Sequence, residues 1–409
     1  MSDLSSPEVV VVGAGIAGLT AAKILSQKGK EVLLIEKSDA VGGRVRTDHH
    51  QGFLLDRGFQ VLLTAYPELA EHLDIESLGL KQFDSGAVIF KNGRFSKIGD
   101  PFQNPSSVFS TAFTTCLSIQ DKLRLLKLRR ELVANNHPSL NRFEDEKILT
   151  NLTRLGFSQK AVNGFFKPLL GGIQLDPDLK GSARLGLLVL RMLFIGKAAV
   201  PKDGMGSISQ QLLAQIGKQN VILKSPVEKL EGKKVILESG DSFSPTNLII
   251  ATEGPAAAKL IAFESPSSRS VSCVYFASPE APTKSKAILL NGTGNGPGLN
   301  VAIMTNISPS YSSNDEALIA VVIPGKGNSE LIEPVLEQMK GWFGDTVDSW
   351  RHLRTYSIEH GQPDLQPGGL FRRNIKINDG IFLCGDHRDT PSIQGALVSG
   401  RRTAEMCLI

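Results

Sequence analysis

Four cysteines in 409 residues (Cys116, Cys273, Cys384 and Cys407), none in a C-x-x-C spacing, exclude a disulfide-built fold and a thiolate metal cluster. They read as reduced core or surface thiols of a cytoplasmic-type compartment, and no metal site is expected. An excess of one charge is also missing. The chain has 45 Lys and Arg against 41 Asp and Glu, a net +4, with no long basic tract, so nucleic acid is not an expected partner. The opening MSDLSSPE has neither a basic n-region nor an apolar h-region, so no secretory signal is expected. The most apolar run, Leu185 to Ile195, is broken by Arg191 and followed by Lys197, short of the roughly 20 residues a bilayer requires. There is no internal repeat or low-complexity tract. What remains, 41% hydrophobic and 21% charged, is the composition of a globular protein, and its length suggests two domains.

The most informative stretch runs from Glu8 to Asp48. A buried strand over Val9 to Val12 enters Gly13-Ala14-Gly15-Ile16-Ala17-Gly18, and a helix is expected from about Ile16 to Gln27. Gly13 permits the tight turn, Gly15 lets backbone approach a pyrophosphate, and Gly18 lets helix and strand pack closely. The helix N-terminus offers free N–H groups and its positive dipole end to phosphates. A second strand, Glu31 to Ile35, delivers Glu36, with Lys37 beside it, to where an acid would accept from a ribose 2′-OH. An acid there disfavours a phosphorylated ribose. Val41-Gly42-Gly43-Arg44-Val45-Arg46-Thr47 follows directly, its paired glycines allowing a second turn and Arg44 bringing a cation to the diphosphate.

This stretch resembles the GGR motif of the FAD-dependent amine oxidase superfamily, which includes monoamine oxidases, protoporphyrinogen oxidases and phytoene desaturases. The resemblance implies FAD in an α/β fold: a Rossmann-like FAD-binding domain with an inserted α+β substrate domain. Other segments fit it. Phe53 to Val61 looks like the superfamily's second motif, placing Gly58, Phe59 and Gln60 beside the flavin, although relatives usually carry a further glycine where Arg57 or Phe59 falls. Pro201 to Ile208 resembles the P-x-G-G-M segment. Val227 matches a valine whose backbone holds the adenine in relatives, and strand packing explains it equally well. Near the C-terminus, a strand over Gly380 to Asp386 ends in Gly385-Asp386, and Pro391 to Arg401 opens the last helix. In relatives the acid reaches the ribityl chain and the helix N-terminus points at the flavin pyrimidine edge. The cofactor-end residues implied here are therefore Gly385, Asp386, Ser392, Ile393, Gln394, Gly395 and Ala396. No cysteine motif for covalent flavin is present, and Cys384 falls in a core strand, so the FAD is expected to be non-covalent.

Between these motifs the chain divides into five segments. Residues 1–99, 201–259 and 366–409 would form the FAD-binding domain. Residues 100–200, mainly helical, and 260–365, rich in strands, would form the substrate domain. Asn92-Gly93 centres a hairpin over Val88 to Phe95. Ile119 to Ala134 is an amphipathic helix, with Leu123, Leu126 and Leu132 mostly on one side and Lys122, Arg124, Lys127, Arg129 and Arg130 around the rest. It reads as an ordinary solvated helix or, more sharply, as a peripheral contact with anionic lipid at 119–134. Ala183 to Ile195 is apolar nearly all round, which suits core packing or a channel wall.

For the reaction, the aromatic cage of amine-oxidising relatives is missing from His387-Arg388-Asp389-Thr390, and Lys284 and Lys286 sit in a polar turn. GDHRDTPSIQGALVSGRRTA looks closer to carotenoid desaturases and related enzymes that act on isoprenoids. The leading expectation is an FAD-dependent oxidoreductase taking hydride from an apolar small molecule, with His360, His387 and Arg388 as candidate catalytic residues. An amine oxidase producing hydrogen peroxide, and a protein that binds FAD without catalysis, stand as alternatives. Nothing in the sequence fixes an oligomeric state.

Overall fold

The computed structural model describes residues 7–100, 102–103, 116–134, 144–265 and 267–409. Two large sheets organise it. The first has six strands in the order Val221–Ile222, Val32–Ile35, Val9–Val12, Asn247–Ile250, Ile381–Leu383 and Lys376–Asn378. The first five are parallel and the last is antiparallel. VVVV, VLLI, NLII and IFL are almost uninterrupted apolar runs because both faces are covered. Helices Ile16–Gln27, Gly206–Ile216 and Ile393–Cys407 pack on one face. A three-stranded meander, Val227–Glu231, Lys234–Leu237 and Ser242–Phe243, shares the core of the other. Helices Ile16–Gln27 and Ile393–Cys407 approach at Gly400, where a Cβ would stand 2.4 Å from the Ala17 carbonyl oxygen. The two ends of the chain are thereby packed together.

The second sheet has seven strands: Arg351–Pro363, Ser268–Ser278, Ala317–Pro324, Asn300–Ile303, Ile288–Asn291, Ala87–Lys91 and Arg94–Ile98. It is antiparallel except where Ile288–Asn291 meets Ala87–Lys91. Successive side chains of Ser268–Ser278 alternate between the two covered faces of the sheet. Val274 and Phe276 face helix Ile332–Phe343 with Trp342 and Trp350, while Cys273, Tyr275 and Ala277 face the first unit. The hairpin expected at Asn92-Gly93 is present, with φ of +52° and +69° at the two turn residues. It pairs into this second sheet, whereas the sequence division counts it with the FAD-binding segment.

Helices Ile119–Val133, Ile148–Arg154, Lys167–Ile173 and Ala183–Ile195, with a π-helical turn at Val162–Phe166, build a separate apolar cluster over one end of that sheet. Ile119–Val133 starts at a capping box: Ser118 accepts from the Asp121 N–H and Asp121 accepts from the Ser118 N–H. Its apolar residues do not share one face as expected. Leu128 and Leu132 are buried, with Leu125 packed beside them, whereas Leu123 and Leu126 point outward. Arg129, expected on the basic face, turns inward to Asp100 at 3.2 Å. Among the described residues no helix is long and apolar enough to cross a membrane.

Candidate FAD and substrate site

A continuous cavity of about 1820 Å³ runs from the glycine turn at Gly13 to a chamber walled by helices Ile119–Val133 and Ala183–Ile195 and by the second sheet. Small-molecule pockets span roughly 300–1,000 Å³. This volume therefore has room for a large cofactor and a second molecule.

The cofactor half is made of backbone. Gly13 has φ +104°, and a Cβ there would stand 2.9 Å from the Ala251 carbonyl oxygen. A Cβ on Gly18 would overlap the Gly13 carbonyl at 2.0 Å, so helix and turn meet at van der Waals distance. Gly15 is different: a Cβ would meet nothing within 4 Å, because this glycine faces the cavity. It also begins helix Ile16–Gln27 without a side-chain cap, leaving first-turn N–H groups for a ligand. Glu36 ends its strand beside this turn, 6% exposed, accepting from the Ala14 N–H and the Ser38 N–H, both at 2.8 Å. Gly42 donates to the Ala14 carbonyl at 2.7 Å, and a Cβ on Gly43 would lie 3.4 Å from Gly15 Cα. The two glycine turns pack together, and Gly42 at φ +114°, where a Cβ would stand 2.5 Å from the Val45 carbonyl oxygen, is needed for the second of them.

Arg44 links this turn to the far end of the chain. Its guanidinium donates to Asp386 Oδ1 at 2.7 Å and to the Gly361 carbonyl at 3.0 Å. Gly385, at φ +147°, donates its N–H to Ser399 Oγ. Ser392 caps helix Ile393–Cys407 by accepting from the Gly395 N–H, and Gln394 Oε1 accepts from the Glu68 N–H at 3.1 Å. Glu68 is fixed in turn by Arg401, whose Nε and Nη2 each donate to it at 2.9 Å. Gln60 donates to the Arg44 carbonyl at 2.7 Å, Phe59 packs edge-on against Phe83, and Gly58 abuts Ile358.

Gly13, Gly15, Ile16, Ala17, Glu36, Lys37, Gly43, Arg44, Gly58, Phe59, Gln60, Val227, Gly385, Asp386, Ser392, Ile393, Gln394 and Ala396 all line the cavity. Gly18 and Gly395 stand behind it, packed against Gly13 and Thr390.

The three candidate catalytic residues do not line that cavity. His360 lies on the edge strand Arg351–Pro363, its Nδ1 2.6 Å from Ser268 Oγ. His387 is 2% exposed and burial pushes its pKa down to about 4, so the ring is neutral. The two histidines meet at a recess of about 10 Å³, shared with Arg44, Asp386 and Glu253. That space is water-sized at most. Arg388 turns away to the Asn374 carbonyl and the Phe263 ring. His387 and Arg388 follow the turn at Gly385 and His360 lies on an edge strand, and none of the three side chains lines the cavity. Cys384 is fully buried, and burial pushes its thiol up to about 12, away from a reactive thiolate.

Sequence reasoning missed the residues that join the two units. Asp56, 1% exposed, accepts from Thr47 Oγ1 at 2.5 Å, Tyr311 Oη at 2.7 Å and the Met205 N–H at 2.9 Å, while its carbonyl accepts from Tyr275 Oη. Burial raises its pKa to about 6. The signal was there, since an acid closing an otherwise apolar strand (Phe53–Asp56) has to find buried donors. Also missed were the chamber residues Tyr66, Phe165, Leu175, Arg184 and Lys197. Arg184 is held by Asp145 at 3.0 Å, and Leu175 sits at φ +54° in the turn after helix Lys167–Ile173.

Comparison with known proteins agrees with this geometry. A putrescine oxidase structure superposes with a TM-score of 0.73 over 98% of this chain and 99% of that one, at 18% identity. Cyclohexylamine oxidase from Brevibacterium oxydans superposes with a TM-score of 0.73 over 98% of both chains, at 19% identity. At such identities the likeness shows the fold. In sequence, protoporphyrinogen oxidase 2 of Arabidopsis thaliana is 29% identical over 176 residues, 43% of this chain and 34% of that protein. The carotenoid 3,4-desaturase of Haloarcula japonica is 48% identical over 58 residues, 14% of this chain and 12% of that protein. These matches span about a third or less of the curated relatives' own length. The family model for flavin containing amine oxidoreductases, in contrast, matches residues 16–408, nearly the whole described cavity wall included. By that match, the chain belongs to the flavin containing amine oxidoreductase family.

Proposed function

We propose that this protein removes a hydride from an apolar small molecule of isoprenoid character. FAD, when bound, supplies the two-electron acceptor. The empty space in front of Gly15 and the uncapped helix beside it fit a dinucleotide diphosphate. Gly13 to Gly18, Glu36 and Gly43-Arg44 would hold the adenosine and diphosphate. Asp386 and the N-terminus of helix Ile393–Cys407 would hold the other end. The five-segment division of the chain, with FAD-binding and substrate parts alternating, accompanies this reading.

The observation that carries the substrate class is the chamber wall. Leu125, Phe165, Leu169, Leu185, Leu188 and Met192 are apolar, and three acids of the cavity wall stand near cations. Asp84 pairs with Lys97, Asp100 with Arg129, and Asp389 faces Arg372 and Arg402. Among the described residues these acids already stand near cations, so a cationic amine would gain less there than an apolar chain, which would be desolvated and oriented. The protein's part in such a reaction is positioning and exclusion of water.

The mouth of the chamber extends the proposal to a lipid surface. Ile119, Leu123 and Leu126 are 76%, 61% and 41% exposed and form one stripe, with Lys122, Lys127 and Arg130 beside it. Leu126 also lines the cavity. Such a stripe suits contact with anionic lipid from which an apolar substrate is collected. Anionic liposomes should co-sediment the protein, and Leu123→Glu with Lys127→Glu should abolish this. Equal recovery with and without liposomes ends the lipid reading.

The relatives support a second reading. Putrescine and polyamine oxidases are among them, so an amine substrate with release of hydrogen peroxide is the competing reaction. Anaerobic bleaching of the flavin decides between them. Isoprenoids or long-chain lipids should bleach it and a panel of amines should not; bleaching by amines alone would replace our reading with the second.

A further inference from the structure

Lys197 follows the end of helix Ala183–Ile195, lines the chamber and is half-buried. Its backbone is held twice by one residue. The Lys197 N–H donates to Thr64 Oγ1 at 2.9 Å, and the Thr64 N–H donates to the Lys197 carbonyl at 2.9 Å. The strand that follows, Ala198–Val200, pairs with Leu62–Leu63 and fixes the same junction. The base of the side chain is therefore rigid.

Its charge is unspent. Arg129 and Arg184, which share the chamber wall, are matched by Asp100 and Asp145. No ion pair or side-chain hydrogen bond to Lys197 Nζ occurs among the described residues. An ammonium beside an apolar chamber loses hydration without a countercharge in return. Two residues beyond Thr64, Tyr66 lines the same cavity, its hydroxyl near Ser392. Burial pushes its phenol up to about 12, so it remains an O–H donor. Among the described residues, Lys197 and Tyr66 thus bring an ammonium and a hydroxyl to the cavity wall.

We propose that Lys197 receives the anionic end group, a carboxylate or a phosphate, of an otherwise apolar substrate. The inference rests on the apolar-substrate reading and narrows it to an amphiphile. Lys197 is a specificity residue in this scheme, gripping the end group of the molecule. Tyr66 adds a second donor.

The test measures equilibrium binding of three probes to the FAD-loaded protein: hexadecanol, palmitate and hexadecyl phosphate, which share one chain and differ in the head. At least one anion should bind about tenfold more tightly than the alcohol, the scale of one charge-assisted hydrogen bond. The better anion identifies carboxylate or phosphate. Lys197→Gln should bring the anions down to the alcohol's affinity while leaving the alcohol and the flavin content unchanged, and Lys197→Arg should restore the preference. Lys197→Met serves in place of the glutamine variant if that one folds poorly. Equal binding of all three probes by the wild type, or a preference that survives in Lys197→Gln, overturns the inference and leaves the apolar reading standing. If hexadecanol fails to bind as well, the apolar reading falls and takes this inference with it.

Discussion

The two halves of the cavity are built on different principles. The cofactor half is backbone: Gly13, Gly15, Gly18, Gly42 and Gly43 stand where a side chain would collide with the turn or occupy the ligand's place. The chamber half is side chain, made of leucines and phenylalanines from three helices and a sheet that could be exchanged for other apolar residues of similar volume. One half constrains residue identity position by position. The other constrains only hydrophobicity and total space. Substitutions in the first should therefore act sharply and locally, and substitutions in the second should act by degree.

The largest contrast lies within the glycine turn itself. Gly18→Val puts its side chain on the Gly13 carbonyl and should cost about 3 kcal/mol or more of stability, read by thermal or denaturant unfolding of cofactor-free protein. A Cβ on Gly15 meets nothing within 4 Å, so Gly15→Val should change cofactor-free stability by only about 1 kcal/mol, the loss of a favourable N-cap residue. If the two variants unfold alike, the division of labour between these glycines is wrong.

Asp56 tests the seam between the halves. Asp56→Ala strips Thr47, Tyr311 and the Met205 N–H of their shared acceptor and should cost about 3 kcal/mol. Its pH dependence has a definite sign. The folded pKa is raised to about 6 from 3.8, so the associated stability is fully present below about pH 4 and is lost as pH rises through 6. Relative to Asp56→Asn, the wild type should gain about 1 kcal/mol between pH 7 and pH 5. A gap that narrows on acidification would show that the acid is not buried as described.

The smallest effect belongs to the chamber. Leu188→Ala should cost about 1 kcal/mol, keep its flavin, and weaken hexadecanol binding several-fold. Loss of flavin from this variant would mean the two halves are not separable.

The same contrast explains what the sequence made legible. Val9–Val12, Ile16–Gln27 and the approach of the chain ends could be read because a dinucleotide turn tolerates few spellings. The polar edge strand Arg351–Pro363 could not be read, since RHLRTYSIEHGQP is covered on one face only and by the neighbouring unit as much as by its own sheet. His360 is a candidate by its place just before the last FAD-binding segment; in the structure it lies on an edge strand with its Nδ1 2.6 Å from Ser268 Oγ. His387 and Arg388 follow the cofactor motif by one and two residues, and only the backbone at Gly385 decides that they face away. Tyr66, Leu175 and Lys197 come from distant segments and carry no motif, because filling a chamber demands no fixed spacing. The orientation of helix Ile119–Val133 was misjudged because leucines occur on both its sides, and burial by Ala183–Ile195 selected one set.

The most direct measurement is the flavin carried by the purified protein and by Gly15→Val. The wild type should hold one FAD per chain, visible in its absorbance and released intact into the filtrate on denaturation. Gly15→Val should still fold and be colourless. A wild type that is well folded, supplied with FAD and still colourless would contradict the account, as would a Gly15→Val variant that keeps its full complement.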